Sequence, residues 1–131
     1  MYPAEYQSLD AIELSALLRN RHVTALELMD CAINLATSRG VPLNALCYQR
    51  FEESRSLAAG AELRGVFGAV PFLLKDSAFP SKRFPSSLGS RLLKGMSFKF
   101  DATLLERFDA AGLIPFARTT VPEFCMAPTT E

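Results

Sequence analysis

Gly65-Val66-Phe67-Gly68-Ala69-Val70-Pro71-Phe72-Leu73-Leu74-Lys75-Asp76 is an apolar run between glycine punctuation that ends abruptly in two charges. A short apolar run without polar alternation has the pattern of a strand buried on both faces, which requires a sheet covered on each side. Residues 113–117 form a second run of the same kind. Between the two, Asp101 is positioned to cap a helix whose Leu104, Leu105, Phe108 and Ala111 share one face, with Gly112 at its end. Strand, crossover helix, strand is a βαβ unit, so the expected class is α/β with a largely parallel core.

The first sixty residues read as helical. Asp10-Ala11-Ile12-Glu13 and Thr24-Ala25-Leu26-Glu27 both have the spacing of a capping box, in which side chains at the first and fourth positions satisfy each other's backbone amides. Leu14, Leu17 and Leu18 follow the first box, and Leu28, Cys31, Ala32, Leu35 and Ala36 follow the second, at helical i, i+3, i+4 spacing. Gly40, Pro42 and Asn44 end that helix. Residues 45–48 are expected to form a short strand and 51–59 another helix, closed by Gly60. From about 77 to 99 the chain is rich in Ser, Pro, Gly and Lys and reads as loop, with one short helix after Ser90. Pro122-Glu123 is a candidate start of a last helix, where Glu123 suits the dipole.

Composition excludes several functions. Fourteen Lys and Arg balance fourteen Asp and Glu, and no basic stripe interleaves with aromatics, so the expectation is no nucleic acid. The apolar run is far short of the ~20 residues of a membrane span, and the N-terminus lacks a basic, apolar signal pattern. Cys31, Cys47 and Cys125 are odd in number and widely spaced, as expected of reduced thiols in a cytoplasmic protein. One histidine, His22, leaves no basis for a Ser-His-Asp triad beside a two-His metal site, and it reads as a surface residue. Gly65 and Gly68 lack the spacing of a phosphate loop. No metal or organic cofactor is expected.

Lys75 is the candidate for chemistry. It stands at the expected carboxyl end of a buried strand, where open α/β sheets place functional groups. A lysine partly withdrawn from water there is suited to act as a base, although a charged lip where strand meets solvent reads the same way. Asp76, its neighbour, points to the opposite face and is expected to stabilise the following loop.

The segment closing on Pro71-Phe72-Leu73-Leu74-Lys75-Asp76 resembles the Pro-x-x-x-Lys-Asp stretch of the amidase signature family. Four further pieces follow the family's order: Leu43-Asn44-Ala45, Ser87-Leu88-Gly89-Ser90, Asp101-Ala102 with Ala111-Gly112, and Arg118-Thr119-Thr120-Val121-Pro122-Glu123-Phe124. Arg118 stands where Lys is usual, Thr120 where Asn is usual, and Ala117 where Gly is usual. The resemblance implies an amidase-signature-like mixed, largely parallel sheet covered by helices. It also implies that residues 1–131 are the N-terminal part of one domain, with 1–62 a helical region and 63–131 the start of the α/β core.

The activity it implies is hydrolysis of a small-molecule amide through a Ser–cis-Ser–Lys triad and an acyl-enzyme, with Lys75 as the base. The family places both serines in a Gly/Ser-rich segment beyond Phe124, and no such run occurs up to Glu131. Alone, the chain is expected to be inactive, and to be ordered against the rest of the enzyme or in a homo-oligomer. Phe124, Cys125 and Met126 are candidates for the substrate wall, with plain core as the other reading. Ser90 reads as a helix cap. Two alternatives stay open: a non-catalytic binding or assembly module, and an amidotransferase A-type subunit of the same family.

Overall fold

A computed structural model describes residues 1–77 and 79–130. Three helices open the chain: α1 (Pro3–Ser8), α2 (Ala11–Arg19) and α3 (Ala25–Leu35), the last extended by a π-helical turn over Ala36–Gly40. Both capping boxes form. The Ile12 and Glu13 amides donate to Asp10 Oδ1 at 2.8 and 2.9 Å, and the Asp10 amide donates to Glu13 Oε2 at 2.8 Å. The Glu27 amide donates to Thr24 Oγ1 at 3.2 Å, and the Thr24 amide returns a bond to Glu27 Oε2 at 2.8 Å. Each box satisfies amides that have no partner inside the helix, which fixes where it starts.

Strand β1 (Leu46–Gln49), helix α4 (Phe51–Ala59), strand β2 (Pro71–Lys75), helix α5 (Thr103–Ala110) and strand β3 (Ile114–Thr119) follow. The sheet order is β1-β3-β2. β2 lies parallel to β3, with Pro71 opposite Ile114 and Lys75 opposite Thr119, and β1 lies antiparallel to β3. Fold class is therefore mixed α/β, as expected. Pro115 is buried in the central strand and has no amide to give, and the register between β2 and β3 shifts beside it.

Successive strand residues face opposite ways, so each sheet face has its own cover. Leu73 and Phe116 pack with Met29, Ala32, Ile33 and Ala58 of α3 and α4. Leu74 packs with Phe84 and Leu105, and the Phe72 ring meets Phe108 of α5 edge-on at 5.0 Å. A third cluster joins Leu14, Leu18, Val23 and Leu28 to Ala69, Val70 and Leu113, so the opening helices share a core with the sheet's entry segments.

Several expectations need correction. Among the described residues β3 is buried along its middle, while β2 borders the sheet with Phe72 and Leu73 half-buried. Asp101 does not cap α5, which starts after Ala102 with no side-chain cap. Its carboxylate instead takes the Lys82 amide at 2.8 Å, a loop partner that no local pattern announces. Leu104 is 43% exposed, so the α5 face narrows to Leu105 and Phe108. Residues 91–95 form turns rather than a helix, and among the described residues beyond Pro122 there is a 3-10 turn, Glu123–Cys125, in place of a longer helix.

Candidate active site

The carboxyl ends of β2 and β3 lie side by side, and both chains turn away there. The Asp76 amide donates to the Thr119 carbonyl at 3.0 Å, extending the pairing one residue past Lys75. The Asp76 side chain is 1% exposed. It accepts hydrogen bonds from Ser86 Oγ at 2.6 Å, Ser87 Oγ at 2.7 Å and the Ser87 amide at 3.0 Å. Asp76 therefore holds the following loop, as expected from its opposite facing to Lys75.

Arg118 supplies the matching cation. It is 0% exposed, its Nη1 donates to the Lys75 carbonyl at 3.0 Å and its Nη2 to the Phe79 carbonyl at 2.6 Å. Nη1 lies 3.9 Å from Asp76 Oδ1, and the guanidinium stands 6.0 Å from the centre of the Phe84 ring. Burial pushes the Arg118 guanidinium below its usual range and the Asp76 carboxylate pulls it back; arginine stays charged throughout. Cys47 of β1 packs beside this pair, its Sγ donating to the Arg118 carbonyl at 3.6 Å. Burial first, and then the Asp76 charge, push the Cys47 thiol up to about 11.

The Ser86–Ser90 loop is pinned to the chain after β3. Gly89 has φ +69°, and a Cβ there would lie 2.4 Å from the Val121 carbonyl oxygen, so only glycine fits. The Phe124 amide donates to the Leu88 carbonyl at 2.8 Å. Phe124 and Cys125 both take left-handed backbone angles, φ 51° and 57°, an uncommon pair for non-glycine residues.

A cavity of about 460 Å³ opens at this junction. Lys75, Ser77 and Ser86 supply its polar wall, and Phe98, Phe124 and Cys125 belong to its apolar one. Lys75, Phe124 and Cys125 are thus brought together. Met126 is not: it is 85% exposed and outside the lining. Among the described residues Lys75 is exposed, at the end of β2 and on the wall of this cavity. Ser90 is buried in a turn, its amide donating to the Ser87 carbonyl at 2.9 Å, and it caps no helix. Glu123 and His22 are exposed.

Arg118, Ser86 and Ser87 join the site without a local sequence pattern that assigns them to it. The strand pattern ends at Ala117, which leaves Arg118 outside it; the pairing of Leu74 with Arg118 is the signal that places it beside Lys75. Among the described residues, no group of His, Cys, Asp and Glu is arranged to hold a metal ion, and no helix is long and apolar enough to cross a membrane.

The family model described as Amidase matches residues 34–131. The A-type subunit of glutamyl-tRNA(Gln) amidotransferase from Mycobacterium ulcerans is 32% identical over 130 residues, covering 93% of this chain and 26% of that protein. Its counterpart of the same name from Rhodococcus erythropolis is 29% identical over 132 residues, covering 95% and 27%. Among solved structures, 6-aminohexanoate cyclic dimer hydrolase superposes with a TM-score of 0.80 at 28% identity, covering 88% of this chain and 24% of that one. A bacterial aryl acylamidase of the amidase signature family superposes at 0.79 with 25% identity, covering 88% and 26%. The chain spans about a quarter of the length of these relatives.

Proposed function

This chain belongs to the amidase family, and we propose on that premise that it is the N-terminal part of a cytoplasmic hydrolase that cleaves small-molecule amides with Lys75 as its terminal proton acceptor. The observation that carries this reading is the position of Lys75, at the carboxyl end of β2 on the wall of a cavity shared with Phe124 and Cys125. In this reading the Lys75 side chain takes a proton, relayed by a bridging serine, from a nucleophilic serine as that oxygen attacks the amide carbonyl. The proton returns to the leaving amine, and water then releases the acyl group from the serine. Both serines belong to chain beyond residue 131, which we place against the open edge of β2. Phe124 and Cys125 wall the acyl side, and no metal or organic cofactor takes part.

Lys75→Ala in the full-length protein tests this. Loss of the base is expected to lower amide turnover by several orders of magnitude, and Lys75→Arg to do no better, since a guanidinium keeps its proton. Retention of more than about a tenth of wild-type kcat, a barrier change of ~1.4 kcal/mol or less, would show that Lys75 is not the base. The 131-residue chain alone is expected neither to turn over amides nor to label with a fluorophosphonate.

The names of the curated relatives support a second reading, an amidotransferase A-type subunit in which the same lysine works on the amide of glutamine. Glutaminase activity that appears only with partner subunits present would favour it over a self-sufficient amidase.

A further inference from the structure

We propose that Arg118 is a positioning residue for Lys75, holding the strand end that carries it and the loop that shares its cavity as one unit. The inference rests on the reading of Lys75 as proton acceptor. The guanidinium fork bridges two carbonyls, those of Lys75 and Phe79, which bracket the turn where the chain leaves β2. One of these carbonyls is that of Lys75 itself, so the backbone from which the amine projects is held directly. Asp76 lies 3.9 Å from the same guanidinium and holds Ser86 and Ser87, and Ser86 lines the same cavity as Lys75. One side chain therefore ties together the strand end, the turn and the loop.

Two features separate this from ordinary core packing. A fully buried cation is costly to keep, and closing a turn does not need one. Among the described residues the Nε of Arg118 has no hydrogen-bond partner, so the bonds its guanidinium makes are those to the two carbonyls. Planar two-point donation of this kind is a property of arginine; lysine brings the charge without the fork.

The test uses the full-length protein and an alkyl fluorophosphonate, with the second-order rate of serine labelling followed by mass spectrometry. Lys75→Ala is expected to leave only residual labelling. Arg118→Met is expected to slow labelling by about 10- to 100-fold, the scale of a small misplacement of a reacting group, and Arg118→Lys to recover part of it. Arg118→Met added to Lys75→Ala is expected to slow the residual rate no further, because a residue acting through Lys75 has nothing left to act on. If Arg118→Met fails to fold, Arg118→Met with Asp76→Asn removes both buried charges and is expected to stay slow. Wild-type labelling in the Arg118 variants, or an equal slowing with and without Lys75, overturns this inference alone. An unlabelled wild type, or a Lys75→Ala protein that labels normally, overturns the hydrolase reading and this inference with it.

Discussion

The opening helices and the junction at the ends of β2 and β3 are both well buried, but they are held by opposite means. Around α2 and α3 the interior is mostly apolar, built from Leu14, Leu18, Leu28, Met29 and Ile33; Ser15 is its buried polar residue, donating to the Val66 carbonyl, and the capping bonds sit at the helix starts, in water. At the junction the interior is polar: Arg118, Asp76 and Ser86 are each at most 2% exposed and answer one another. An apolar layer loses stability in proportion to the volume removed. A buried polar network fails when one partner goes and leaves the other charged and alone.

The sharpest way to break that contrast is Asp76→Ala. It leaves the Arg118 guanidinium buried without its carboxylate and frees two serine hydroxyls, and is expected to cost ~3–5 kcal/mol in urea denaturation. Removing Arg118 as well, as Arg118→Met with Asp76→Ala, is expected to return part of that loss; a double variant as unstable as the sum of the singles would show that the two charges do not depend on each other. Leu28→Ala, at the fully buried centre of the helical layer, is expected to cost ~2–5 kcal/mol, with no second-site change that restores it as neatly. Thr24→Ala removes a cap from the exposed start of α3 and is expected to cost ~1 kcal/mol, seen as a lower urea midpoint with an unchanged slope. The smallest effect is chemical. With its thiol pushed up to about 11, Cys47 is expected to resist iodoacetamide at pH 8 and to react only as pH approaches that value, whereas exposed Cys125 reacts first. Equal alkylation of the two at pH 8 would remove burial beside Asp76 as the cause.

The same division governs what could be read in advance. Each capping box is written within four residues, and the apolar spacing behind it repeats within two turns, so α2 and α3 start where the pattern places them. Gly112 was legible as a stop for the same local reason, and its φ of +91° agrees. Asp101 shows where such reading fails. Its position suits a cap, but its carboxylate is taken by Lys82, nineteen residues earlier. Ser90 misled in the same way, since no helix follows it to be capped.

Sequence alone determined the α/β class, the helical opening, the two apolar strands and Lys75 at the end of one of them, because periodicity, caps and punctuation act over a few residues. Strand order was left to the tertiary structure, and with it the pairing that sets Lys75 opposite Thr119. So was the meeting of Asp76, Ser86 and Arg118, which depends on the register that sets Leu74 against Arg118. A buried ion pair between residues 42 apart in the chain leaves no periodic trace, since each partner looks like an ordinary surface charge until the other is brought beside it.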